Sequence, residues 1–255
     1  DLTTLGTIIG NNPEALAAAI AAPVGVEKIP VYPVANFGSQ MAPLYTILAL
    51  WVGSILMVVS LRSDVTDATV ADGLPEGDPL RATLTAKPVG LAAGYLGRYL
   101  IFGTIALTQA TLLGLGDLYF LKVQHAHPLQ FMGTLWLTAV VFSFLMYTLI
   151  ATFGNAGKAL GVLLLVLQIS GAGGAFPLAI LPSFFSSVSP FLPATHAITA
   201  LRASIAGYAG HEYGDAMWFL ASFILFTAFL GLALRPLLVR NNRRMVEKLE
   251  STKLL

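Results

Sequence analysis

Long apolar runs separated by polar stretches organise this chain, and one of the runs is unlike the others. Ala42–Leu61 (APLYTILALWVGSILMVVSL) carries no charge and reaches the ~20 residues that a helix needs to cross a bilayer. Comparable runs predict spans over about Tyr99–Leu115, Leu129–Phe153, Ala159–Gly174 and Ala216–Val239. The run from Gln168 to Ile205 is almost wholly apolar, yet Pro177, Pro182, Pro190 and Pro193 cut it, as do Gly171, Gly173 and Gly174. Proline removes a backbone donor and glycine loosens a helix, so the fourth span should end near Gly174. None of the pieces between the prolines can cross a bilayer. Residues 175–206 therefore read as a pair of short helices that dip into one membrane face and turn back out, a re-entrant hairpin. The competing reading is a Pro-rich amphipathic loop lying flat on the membrane. Irregular backbone at membrane depth must pack on protein or line a wet cavity.

The polar stretches complete the plan. Residues 1–41 form no span: Asn12-Pro13-Glu14 offers a cap, a first-turn proline and a first-turn acid for a short Ala-rich helix. Pro30 and Pro33 then mark extended chain leading to the membrane. Residues 62–97 are polar, and Lys87–Arg98 (KPVGLAAGYLGR) reads as a short interfacial helix feeding the second span. Residues 240–255 form a polar, basic, helical tail. The expected fold is all-α: five transmembrane helices within residues 42–239, with the hairpin before the last.

Composition agrees. Of 255 residues 56% are hydrophobic and 11% charged, against about 25% charged in soluble domains. The net charge of +1 and the scatter of basic residues suggest no nucleic-acid partner. Cysteine is absent, which removes disulfides and thiolate metal sites. The chain starts at Asp1 without a basic-then-apolar leader, and so reads as the later part of a longer protein. Five spans put the two ends on opposite faces. Of fourteen Lys and Arg, only Lys28, Lys122 and Arg202 fall on the side of residues 1–41, leaving eleven on the side of the tail. Basic loops stay cytoplasmic, so residues 1–41, the loop before Leu129 and the broken stretch face outward.

Little in the chain reads as chemistry. No carboxylate lies inside an expected span, which argues against a proton-coupled transporter. Gln109 and Gln168 are expected to form interhelical hydrogen bonds, with substrate contact as the alternative. Gly154–Lys158 (GNAGK) resembles a phosphate loop superficially, but the Gly-to-Gly spacing is too short and Ala159 follows where Ser or Thr is needed. It is a turn. His125 and His127 lack a third ligand, His211-Glu212 lacks the second histidine of a zinc helix, and Ser186, Ser187 and Ser189 lack a base. Neither an active site nor a cofactor is expected. The acids from Asp64 to Asp78 either dock a basic partner or form a solvated loop, and Lys87–Arg98 either transmits motion or anchors at the interface.

The segment Tyr32–Ile55 closely resembles the signature of the YhgE/Pip, or phage infection protein, family. The matching residues are Asn36, Phe37, Gly38, Ser39, Met41, Ala42 and Pro43, then Leu48, Leu50, Trp51, Val52 and Gly53. A second match, Ser170–Arg202, includes Gly171, Gly173, Gly174, Phe176, Pro177, Pro182, Pro190, Pro193 and Arg202. Gln40 and His196 depart locally from the pattern. The resemblance covers residues about 30–240. It implies a domain like those of ABC type-2 exporters in a bacterial cell membrane: six spans, a large extracellular domain after the first, and outward-facing half-helices before the last. This chain would supply the last five spans and the end of that extracellular domain. The resemblance further implies a homodimer or heterodimer, a separate cytoplasmic ATPase, and coupling through Lys87, Tyr95 and Arg98. The substrate would be an amphipathic or envelope molecule. Other members are type VII secretion components or are named for phage, so a non-transporting scaffold or receptor is the alternative.

Overall fold

The run that begins at Leu129 becomes the helix that the others surround. In the computed structural model, which describes residues 33–61, 71–86, 91–207 and 210–252 and only the backbone at 85–86, 91 and 234–252, it spans Pro128–Phe153. The chain divides after Pro33, and the description that follows is of the unit Val34–Leu255. Numbered along that unit, the helices are α1 (Phe37–Ser60), α2 (Pro79–Ala86), α3 (Leu91–Leu115), α4 (Pro128–Phe153), α5 (Asn155–Gly171), α6 (Ser183–Val188), α7 (Pro193–Ala206) and α8 (Glu212–Thr252). Among the described residues there is no strand.

Helix α4 is apolar on all sides, as a helix enclosed by others must be, and residues 141–150 are buried without interruption. It packs against α1, α3, α5, α7 and α8. Several of its hydroxyls bond within the helix itself. Thr134, Thr138 and Thr148 donate to the carbonyls of Gln130, Thr134 and Phe144 at 2.7–2.8 Å, the local back-bond open to Thr in a helix. An aromatic cluster seals α3 onto α4, with Tyr99 4.5 Å from Phe144 and Phe102 5.1 Å from Tyr147 between ring centres.

Four helices among the described residues are long and apolar enough to cross a membrane: Phe37–Ser60, Ala92–Phe120, Pro128–Phe153 and Glu212–Ala233. Helix α5, the expected fourth span, is apolar but has 17 residues. That is about 26 Å at ~1.5 Å per residue, against a hydrocarbon core of ~30 Å. It leaves α4 through a single residue, Gly154, whose φ of 59° suits glycine; of the expected turn GNAGK, only Gly154 lies between the helices, and Asn155–Lys158 open α5.

The structure corrects three expectations. The first span starts at Phe37 rather than Ala42 because Asn36 caps it, leaving Pro43 inside the helix. Lys87–Arg98 is not a separate interfacial helix: Lys87 lies outside the described residues, while Tyr95 and Arg98 belong to α3 itself. Tyr95 is 1% exposed and holds that part of α3 in the bundle. The second span does not stop at Leu115. It continues through a π turn, Gly116–Phe120, closed by the Leu121 N–H on the Gly116 carbonyl at 3.0 Å, so Asp117 belongs to a helix long and apolar enough to cross a membrane rather than to a loop. The expected features at residues 1–32, and the acids Asp64 and Asp67, lie outside the described residues.

The α4–α5 turn yields a test. A Cβ on Gly157 would stand 2.2 Å from the Leu149 carbonyl oxygen, whereas nothing lies within 4 Å of one on Gly97 in α3. Gly157→Ala should destabilise the protein by about 1–3 kcal/mol, as overpacking against backbone does. Gly97→Ala should be neutral or add about 0.5–1 kcal/mol. Thermal unfolding in detergent compares the two.

Candidate functional site

The order Asn-Phe-Gly-Ser at the start of α1 builds a capped helix end tied to the loop before α4. Asn36 Oδ1 accepts from the Ser39 N–H at 2.8 Å, satisfying one of the first-turn donors. Ser39 is buried and its Oγ accepts from the Gln124 N–H at 2.9 Å, while Gln124 Oε1 accepts from the Ala35 N–H at 2.7 Å. Phe37 points outward and is 75% exposed. Two turns further on, Thr46 Oγ1 donates to Asp117 Oδ2 at 2.7 Å. Asp117 is buried in the π turn that ends α3. A carboxylate at such a place is uncommon enough to mark function or a fixed helix contact. Sequence reasoning missed it, because Gly116-Asp117 reads as the start of a loop.

Midway along α1, Trp51 meets Phe142 of α4 edge to face at 4.7 Å and donates from Nε1 to the Gly161 carbonyl of α5 at 3.3 Å. Gly53 faces α3 so closely that a Cβ there would stand 1.8 Å from Gln109 Nε2. Gln109 donates to the Ala49 carbonyl at 3.4 Å, the interhelical bond expected of it. Met41 packs on the core and Pro43 is buried. The first matched segment thus supplies a cap and three close helix contacts.

Beyond α5 the broken stretch resolves into short pieces: a 3₁₀ turn at Leu178–Ile180, α6, a second 3₁₀ turn at Ser189–Phe191, and α7. The pieces are fixed at their breaks. Gly171 is buried against Leu192. Gly173 takes a φ of +65°, and its carbonyl and that of Gly174 both accept from Arg202 Nη2, at 3.0 and 2.9 Å. Those carbonyls lie in non-helical backbone just past the end of α5, where no helix supplies them a donor, and a guanidinium with its several donors can take two at once. Pro193 opens α7 at the first helical position. The next donor, the Ala194 N–H, is accepted by Gln168 Oε1 at 3.1 Å. Pro190 offers its carbonyl to His196 Nε2 at 2.9 Å. Phe176, Pro177 and Pro182 are exposed. Ser186 and Ser187 both donate to the Ser183 carbonyl, and Ser189 Oγ pairs with Thr195 Oγ1.

Where α1, α4, α5 and α7 meet, a narrow apolar crevice lies between Leu44, Ile47, Trp51, Phe142, Leu165 and Ile198, with Gln168 on its wall. The residues read as an ATPase-coupling element fall elsewhere. Tyr95 bonds Thr148 through its hydroxyl and accepts from Tyr147 at its carbonyl, and Arg98 is half-buried on the same helix. Of the acids in that loop, Asp72 and Glu76 are exposed, and Asp78 caps α2 by accepting from the Leu80 N–H at 2.8 Å. His125 bonds the Val123 carbonyl. Among the described residues no group of three or more His, Asp or Glu is placed to hold a metal ion.

The Arg202 contact makes the break testable. Arg202→Gln should expose the Gly173 and Gly174 carbonyls and cost about 1–3 kcal/mol, the range for stranded acceptors. Hydrogen exchange should rise over residues 172–182 and stay unchanged in α4.

Comparison with known proteins places this architecture. The family of ABC-2 type transporters matches residues 74–206, from the turn before α2 to the end of α7. The uncharacterized protein YhgE of Bacillus subtilis (strain 168) is 25% identical over 214 residues, covering 84% of this chain and 25% of that protein. The chain therefore spans about a quarter of the length of that relative. No solved structure matches significantly. With more than half of its length matched and its helices built as a membrane bundle, this multi-pass, YhgE-like membrane protein belongs to the ABC-2 type transporter family.

Proposed function

We propose that the chain is the membrane half of an exporter for amphipathic or cell-envelope molecules, working as a dimer with a separate cytoplasmic ATPase. The observation that carries this reading is the family match, which runs from the turn before α2 through the broken stretch. A permease needs both parts, one to receive movement and one to form the exit. Helix α5 counts as the fourth of the five crossings, short because it ends at Gly171. That count, with the Lys and Arg asymmetry, sets residues 176–206 outside and the α2 loop and C-terminal tail inside. The broken stretch then forms a re-entrant cap on the exit path. Coupling enters through the cytoplasmic end of α3, where Lys87 and Arg98 flank the buried Tyr95. Because α3 is continuous from Leu91, a push at that end would travel along one rigid helix.

A scaffold or receptor is the second reading, and one fact favours keeping it: three quarters of the YhgE relative lies outside the match. An attachment site for secretion-system subunits or phage would sit there. The two readings differ in partner. Purified in mild detergent as the full-length membrane protein, an exporter should carry a stoichiometric ATPase whose turnover changes on reconstitution. Lys87→Glu/Arg98→Glu should abolish that coupling while Tyr95 keeps the bundle folded. Secretion-system subunits, or no ATPase at all, would leave the scaffold.

A further inference from the structure

Helix α3 ends on a lysine held in a conformation that favours glycine. Its π turn is closed by the Leu121 N–H on the Gly116 carbonyl and the Val123 N–H on the Asp117 carbonyl, both at 3.0 Å. Lys122 stands between those two donors with a φ of 51°, the one non-glycine residue with a positive φ among the described residues. Glycine is the usual occupant of such a helix end, because a side chain there crowds the following carbonyl. A strained position that keeps a long side chain points to a use for that side chain. Lys122 is exposed, and its ammonium has no hydrogen bond or ion pair with any described residue. Asp117, the acid of the same turn, is buried and turned to Thr46.

The residues before Lys122 are not those of a solvated turn. Tyr119, Phe120 and Leu121 are 73%, 88% and 72% exposed. Three consecutive large apolar side chains facing outward are a fault in a turn surrounded by water. They lie where the apolar helix Ala92–Phe120 stops, which sets them at the edge of the hydrocarbon. Aromatic side chains favour that level, and a lysine just beyond it can send its ammonium out to the headgroups. The neighbouring elements agree. Phe37 and Leu129, at the starts of α1 and α4, are exposed apolar residues, and the start of α1 is tied to this loop through Gln124. This end of the bundle thus has an apolar rim that carries the Lys122 charge. At the headgroup level the group that matches an ammonium in both charge and acceptor oxygens is a phosphate.

We propose that Tyr119–Leu121 insert into the leaflet at this end of α3, and that Lys122 binds the phosphate of an anionic phospholipid seated there. The proposal rests on the membrane placement of the bundle and goes beyond the export reading, since a lipid anchor would serve an exporter or a scaffold.

A photoreactive side chain beside Lys122, Phe120→p-benzoylphenylalanine, tests it. The full-length protein is placed in nanodiscs of digalactosyldiacylglycerol, which has no phosphate, with phosphatidylglycerol as the minor lipid. After irradiation the adducts on residue 120 are identified by mass spectrometry. Lipid should be the main adduct, with phosphatidylglycerol enriched about fivefold over its share of the bilayer, the effect of one cation at an anionic surface. Lys122→Gly gives the turn the residue its backbone favours, so it should fold and bring the adducts to the bulk lipid ratio. Lys122→Arg should keep the enrichment, and millimolar inorganic phosphate should leave it unchanged. Adducts at the bulk ratio in the unaltered protein, or enrichment that survives Lys122→Gly, overturn the proposal. Loss of enrichment to free phosphate would make this an ion site, and cross-linking to a protein chain would make it a protein interface; either result also overturns it. No ATPase is involved, so failure here is distinct from failure of the export reading.

Discussion

Backbone that leaves a helix inside a membrane must find partners within the protein, because lipid supplies none. Everything distinctive about this bundle follows from how that is done between α5 and α7. The chain stops being helical at Gly171 and restarts at Pro193. Arg202 takes the carbonyls just past the first end, and Gln168 takes a donor left over at the second. The two contacts cross: a side chain of α7 closes the end of α5, and a side chain of α5 closes the start of α7. The short pieces between them are therefore held at both margins. Elsewhere the same constraint is met locally, by threonine hydroxyls turned back onto their own helix. It is also met at the far end of α7, where the N–H groups of Ala126 and His127 pair with the Ser204 carbonyl.

Much of this was legible in the sequence, because each long apolar run can satisfy its own backbone only as a helix. The break was legible too, from its prolines and glycines. What the sequence could not reveal were contacts between residues distant along the chain. Asp117 follows a glycine at the end of an apolar run and looks like a loop residue; its burial depends on Thr46, 71 positions away. Lys87–Arg98 looks amphipathic because of its charged ends. Yet Tyr95 sits where a Cβ on Gly231 would come within 2.2 Å of its hydroxyl, so that stretch belongs to the bundle. Arg202 stood out as the one basic residue of the broken stretch, but the carbonyls it serves appear only when the stretch folds back.

The residues that carried the family resemblance have physical reasons to be where they are. Asn36 caps, Ser39 receives the α4 loop, Gly53 admits Gln109, and Trp51 fastens α1 to both α4 and α5. None of them is placed for catalysis. They make α1 a fixed wall against which α5 and α7 are set, and the Gln168 crevice is the gap left in that wall. In an exporter, a held but discontinuous segment at the end of a short helix is the element best suited to open without unfolding its neighbours.

The central claim is that α5, though short, crosses the membrane and delivers the broken stretch to the outer face. The chain has no cysteine, so single cysteines can report sidedness without background. Exposed positions mark the two sides of α5: Asn155 at its first residue and Ser186 beyond its end, with Glu76 and His125 as references. Labelled on intact cells with a membrane-impermeant maleimide, Ser186→Cys and His125→Cys should react directly, and Asn155→Cys and Glu76→Cys only after permeabilisation. Reaction of Asn155→Cys and Ser186→Cys from the same side would mean that α5 does not cross, and would contradict the account.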